Sequence, residues 1–145
     1  MSESEEQNFD RMVRDLQALI EADARTLYSE KVIREFNNPS NLGRMTDADA
    51  CGVVPGTCGD TIEIYIKVKE GSIKDLSFMT DGCGATIACA SITTRMAKGK
   101  TLEEASKITG DNLIYELGGL PDEHLHCAHL AVAGLKKAIG NYIEK

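Results

Sequence analysis

Apolar positions along the chain change their spacing three times, and each change predicts a different element. Phe9, Met12, Val13, Leu16, Leu19, Ile20 and Leu27 recur at three- and four-residue intervals, predicting an amphipathic helix from Phe9 to about Phe36. The segment NNPSNLG, residues 37–43, ends it with Pro39 and Gly43 and reads as a loop. Ile62, Ile64, Ile66 and Val68 then alternate with Glu63, Tyr65 and Lys67, the period of two of a half-buried strand. Glu70-Gly71-Ser72 turns the chain into a second strand through Leu76 and Phe78, and CGVV at 51–54 offers a third. Connections of hairpin length make the sheet antiparallel.

Beyond Gly84 the pattern turns helical. Ala85 to Lys98 is rich in small and apolar residues and stops at Gly99, a suitable helix end. Thr101 with Glu104 has the form of a capping box, and Asp111 is expected to cap the next short helix. Pro121 is expected to open the last helix, with Leu125, Ala128, Val132, Leu135, Ile139 and Ile143 as its stripe. The whole reads as an α/β (α+β) domain with an additional N-terminal amphipathic helix.

Composition narrows the function. The 145 residues, 42% apolar, suffice for one domain with a real core, and 5% aromatics with no Trp make that core aliphatic. Sixteen basic against 23 acidic residues give a net charge of −7, which repels a phosphate backbone and argues against nucleic acid. The start MSESEEQNFD is acidic, and no apolar run reaches membrane-spanning length, so a cytoplasmic protein without a membrane partner is expected. Five cysteines in a reducing compartment argue for thiols used in packing, metal binding or chemistry.

Three of those cysteines fall at element ends. Cys58 lies in PGTCGD just before the alternating strand and shares parity with Asp60, Ile62 and Ile64; if the extended conformation reaches back that far, both polar groups turn toward the buried face. Cys83 lies between two glycines where the second strand hands over to a helix. Cys127 lies in the first two turns of the last helix, beside His126 and near His124 and His129. Near a helix N-terminus a thiolate is favoured by the unpaired N–H groups, and thiolate is the form that binds metal. Three thiolates, a carboxylate and an imidazole suit zinc or an iron–sulfur cluster. Each residue also has a plainer explanation: a free cysteine is often core filler, Asp60 could cap a turn, and His126 could lie on a helix surface. Cys51 and Cys89 fit packing, and His129 has no support beyond its neighbourhood. No dinucleotide loop, phosphate-binding loop or CxxC pair is present.

Taken together, YSEKVI, NPSNLG, CGD, GCG and LHC, in this order and spacing, resemble the IscU/NifU-type iron–sulfur cluster scaffold family from about Leu27 to the C-terminus. The resemblance implies a three-stranded antiparallel sheet with helices packed on it at 27–145; residues 1–26 lie outside it and are expected to form a helical extension. It implies that Cys58, Cys83 and Cys127 accept persulfide sulfur and hold a [2Fe–2S] cluster. Asp60 would be a ligand or a gate for release, and His126 an alternative ligand. The partners implied are a cysteine desulfurase and apo acceptor proteins, and the role is that of a scaffold with no turnover of its own. The N-terminal helix is expected to dock on the domain or to pair with a second copy as a homodimer.

Two departures from the family matter. Where Isc-type members carry Leu-Pro-Pro-Val-Lys for a dedicated heat-shock chaperone, this chain has Leu120-Pro121-Asp122-Glu123-His124, which puts that partnership in doubt. His124 takes the lysine's place and becomes a possible extra ligand. Two other readings of the same residues stay open. One is a zinc-dependent sulfur-transfer protein of SufU type, although the insertion those members carry before the third cysteine is not apparent. The other is a structural zinc domain.

Overall fold

A computed structural model of the chain describes residues 6–16, 28–56 and 59–144. A first helix, α1, covers 6–16, and α2 covers Glu30–Asn37. The long N-terminal helix expected from periodicity is therefore not continuous: Tyr28 and Ser29 are non-helical, and Ser29 caps α2 by accepting from Val32 N–H. A serine hydroxyl competes for backbone donors and starts a helix more readily than it continues one. In α1, Phe9, Met12 and Leu16 remain 53–54% exposed, so none of the three is packed on the domain, and Val13 is half-buried; Leu19, Ile20 and Leu27 of the expected stripe lie outside the described residues.

The sheet follows the alternation closely. Strands β1 (Ala50–Pro55), β2 (Thr61–Lys69) and β3 (Ser72–Thr80) pair antiparallel in the order β1-β2-β3. Ile62, Ile64 and Ile66 are fully buried while Glu63, Tyr65 and Lys67 are half-exposed on the opposite face. Complete burial of such side chains contributes about 1.5–3 kcal/mol each. Glu70 and Gly71 both have positive φ (56° and 80°), the two-residue turn whose twist matches a hairpin. The NPSNLG segment is a loop fastened along β3. Gly43 N–H donates to Phe78 O, Phe78 N–H to Asn41 O, and Asn41 Nδ2 to Thr94 Oγ1 on the next helix.

Helix α3 (Gly84–Ala97) is flanked by Cys83 as N-cap and by Gly99 at φ 85° beyond its end. Ala85, Ala88, Cys89, Ala90 and Ser91 are all buried, so small side chains let it sit close to its neighbours. Thr101 and Glu104 form the expected capping box of α4 (Leu102–Ser106). For α5 (Gly110–Glu116) the cap is Thr109, bonded reciprocally with Asn112, and not Asp111 as expected. Both residues are acceptable caps, but Thr109 stands three residues before a side chain able to return the bond. Pro121 opens a single 3-10 turn, Asp122–His124, and the last helix α6 (Leu125–Ile143) begins only after it. Ile143, expected in the buried stripe, is 66% exposed at the fraying end.

Helix α6 lies on β1 and β2 at backbone distance. A methyl group at Gly52 would overlap Ala138 N and the Gly134 carbonyl oxygen, and one at Gly134 would press on Ile64 Cγ1 at 2.9 Å. Asn141 Nδ2 donates to Cys51 O at 2.8 Å and ties the far end of α6 to the same strand. Because the obstacle at Gly52 is backbone, Gly52→Ala should destabilise the fold by about 1–3 kcal/mol or more. Urea unfolding is expected to show a lowered midpoint, and an unchanged midpoint would contradict this packing.

Candidate metal centre

Three chain reversals meet at one end of the sheet. Between β1 and β2 the chain is closed by Gly56 N–H donating to Asp60 O at 2.7 Å. Between β3 and α3 it is pinned by Thr61 N–H to Asp81 Oδ1, by Thr80 Oγ1 to Thr61 O, and by Gly82 N–H to Thr80 Oγ1. The third reversal is the 3-10 turn that delivers His124 to the start of α6.

Cys83, His124 and Cys127 each offer one ligand atom, and these atoms all lie within 4.8 Å of one another. Cys83 is exposed, His124 half-buried, and Cys127 buried at 1% exposure. Zinc and iron sit about 2.0–2.3 Å from nitrogen and sulfur ligands, so small side-chain rotations bring this triangle onto one ion. His124 Nδ1 is buried and has no hydrogen-bond partner among the described residues. An unpaired polar atom of this kind costs roughly 1–3 kcal/mol, which a ligand would recover. The Tyr28 ring lies against the imidazole with centroids 5.6 Å apart.

Asp60 joins this group through Thr86. The Thr86 hydroxyl lies 3.4 Å from Asp60 Oδ2 and 3.4 Å from Cys127 Sγ. The other carboxylate oxygen, Oδ1, is buried without a partner among the described residues. The carboxylate is seated between two glycines. A methyl at Gly56 would overlap Oδ1, and one at Gly82 would stand 2.9 Å from Oδ2 and 2.8 Å from Thr86 Cβ. Absent side chains at 56 and 82 thus make the space that Asp60 fills.

His126 Nε2 lies 3.7 Å from Cys127 Sγ, and its ring is stacked on His124 with centroids 6.5 Å apart. The geometric triangle contains His124, the substituted chaperone-motif position, in addition to the two cysteines. Cys58 lies outside the described residues. Cys89 is fully buried in α3 and Cys51 half-buried on the outer side of β1. His129 is exposed, with its ring packed over Gly110. Sequence reasoning assigned no role to Thr86, although it is the third residue of α3, where side chains meet that of the N-cap, here Cys83.

The two thiols ionise unequally. Burial opposes the Cys83 thiolate, but the Thr86 backbone N–H and hydroxyl and the Ala85 N–H outweigh it, so its pKa falls below that of an ordinary thiol. Desolvation dominates at Cys127 and raises its pKa, with the charges of Cys83 and Asp60 adding to the rise and the Thr86 hydroxyl opposing it. At Cys89 burial is stronger still and pushes the thiol far up. Tyr28 is raised by desolvation and then by the negative charge of Cys83 and Cys127.

The fold and this end of the sheet define a small α/β domain with a Cys/His group that could hold a metal ion. The chain belongs to the NifU-like N-terminal domain family, whose model matches residues 27–145. It is 51% identical over 120 residues to iron–sulfur cluster assembly scaffold protein IscU 1 of Archaeoglobus fulgidus, covering 82% of this chain and 78% of that protein. Identity to the Aquifex aeolicus IscU scaffold protein is 40% over 121 residues, covering 81% and 77%. The crystal structure of a NifU-like protein (N-terminal) from Brucella abortus shares the fold, with a TM-score of 0.63 at 20% identity, covering 81% of this chain and 94% of that one.

From these pKa directions, limited alkylation of the metal-free protein should label Cys83 before Cys127, with Cys89 inert until unfolding. Because the Cys83 pKa is depressed, its labelling should persist at pH values below the ordinary thiol range while that of Cys127 is lost. Mass spectrometry of peptides across a pH series checks this. Faster labelling of Cys127 than of Cys83 would contradict the assignment.

Proposed function

We propose that this protein is a scaffold on which iron–sulfur clusters are assembled and from which they pass to apo acceptor proteins. The observation that carries this reading is the meeting of Cys83, Cys127 and His124 within 4.8 Å at the open end of the sheet, in a chain 51% identical to a named cluster scaffold. The cluster is cargo. Residues 27–145 form the scaffold domain, and 1–26 an extension able to pair with a second copy.

The chemistry follows from the side chains. A cysteine desulfurase presents a persulfide, and a thiolate among Cys58, Cys83 and Cys127 attacks its outer sulfur while the donor's thiolate departs. Two electrons from a low-potential electron donor convert each such sulfur to sulfide, which joins iron held by the same thiolates. The product is a [2Fe–2S] unit, whose remaining coordination comes from Asp60, His124 or His126. A carboxylate is a harder, weaker partner for iron than a further thiolate, so the Asp60 corner is the exit. In the apo state the same ligands take zinc. Among the described residues no helix is long and apolar enough to cross a membrane.

Replacement of any one of the three thiols by a hydroxyl removes a soft ligand. Anaerobic reconstitution with iron and sulfide should therefore yield a visible chromophore and acid-labile sulfide in the wild type, in Cys51→Ser and in Cys89→Ser. Cys58→Ser, Cys83→Ser and Cys127→Ser should lose it. A wild type that takes up zinc tightly but never acid-labile sulfide would instead support a zinc-dependent role in sulfur transfer, and loss of the chromophore in Cys89→Ser alone would displace the site.

A further inference from the structure

Thr86 is fully buried on the first turn of α3, and its one hydroxyl reaches three residues of the site. It lies 3.4 Å from Cys127 Sγ, 3.4 Å from Asp60 Oδ2 and 3.8 Å from Cys83 Sγ. A threonine hydroxyl has a single proton to donate. Bonds of the O–H···O kind span about 2.5–3.0 Å, so the approach to Asp60 is stretched. Sulfur is the larger atom, and the same 3.4 Å to Cys127 is an ordinary donor distance. The proton therefore goes mainly to Cys127, with Asp60 as the alternative acceptor. Rotation about the Cβ–Oγ bond turns the same proton from one acceptor to the other without moving the buried side chain. Gly82 supports the arrangement, since a side chain there would collide with both Thr86 and Asp60.

We propose that Thr86 is a positioning residue that sets how firmly the site holds its metal, by competing for electron pairs on Cys127 Sγ and Asp60 Oδ2. This rests on the scaffold reading above and adds to it a residue that touches ligand atoms without being a ligand. A sulfur lone pair engaged by a hydroxyl is a poorer donor to iron or zinc, and hydrogen bonds to cluster sulfurs are a recognised means of tuning such centres. A scaffold must hold its cargo and then surrender it. A weak donor bound to the ligands lowers the barrier to surrender without removing any ligand.

The contrasting possibility is that Thr86 only fills space at the start of α3. Thr86→Val keeps the shape and removes the proton, whereas Thr86→Ser keeps the proton and removes the methyl. Zinc affinity of the apo protein, measured by competition with a chelator, and the rate of cluster transfer to an apo ferredoxin would be compared across both variants and the wild type. Measured at a pH where the site's thiols are ionised in every variant, so that only donor strength differs, Thr86→Val should bind zinc about tenfold more tightly and transfer more slowly in proportion, and Thr86→Ser should stay close to the wild type. Equal behaviour of Thr86→Val and wild type in both assays would overturn the proposal, as would equal changes in Val and Ser, which would trace the effect to the methyl. If Thr86→Val fails to fold, Thr86→Ala carries the same expectation. A wild type that neither binds zinc nor transfers a cluster would reject the scaffold reading itself, whereas normal wild-type transfer with an unaltered Thr86→Val would reject only the role of Thr86.

Discussion

The backbone contact between α6 and the sheet is the constraint on which the site depends. Gly52 and Gly134 carry no side chains because β1 and α6 touch there, and the helix cannot roll or slide without driving Ala138 or Gly134 into the strand. With α6 held, Cys127 in its first turn has a fixed height above the end of the sheet. Cys83 is placed independently, by the handover from β3 to the small-residue helix α3. Two thiols 44 positions apart in sequence thus meet through packing that involves neither of them.

That packing also explains how a buried, partly unsatisfied polar cluster is tolerated. Asp60 Oδ1 and His124 Nδ1 are buried without partners among the described residues, each at a cost of roughly 1–3 kcal/mol. Fully buried Ile62, Ile64, Ile66, Phe78 and Leu135 supply stability close by. Such an arrangement trades stability for readiness, since groups with no protein partner are free to accept a metal. The inequality between the thiols serves the same end. Cys83 is exposed and ionises early, whereas Cys127 is sealed and tuned by Thr86.

Much of this architecture was legible in the order of residues, and for physical reasons. Strict alternation from Ile62 to Val68 admits one reading, and Glu70-Gly71 closes a hairpin because glycine accepts positive φ. The capping box at Thr101 and Glu104 is a local device visible in four letters. Errors arose where two local signals competed. Periodicity carries the N-terminal helix through Ser29, which instead begins a new one, and the acidic Asp111 is the more conspicuous cap although the reciprocal bond of Asn112 favours Thr109. The place of Cys83 and Cys127 at element ends was readable, but the choice among the histidines was not. Where His124 points depends on a 3-10 turn between Pro121 and α6 that no periodicity announces. Thr86 was equally hidden, because a threonine in a helix becomes informative only once Asp60 and Cys127 have been brought to it.

The proposed convergence of Cys83, Cys127 and His124 on one metal ion is open to direct measurement. X-ray absorption at the zinc edge of the zinc-loaded protein tests this most directly. At least two sulfur scatterers at about 2.3 Å are expected, together with outer-shell imidazole scattering that His124→Ala removes. A first shell of nitrogen and oxygen alone, or imidazole scattering untouched by His124→Ala, would contradict the account.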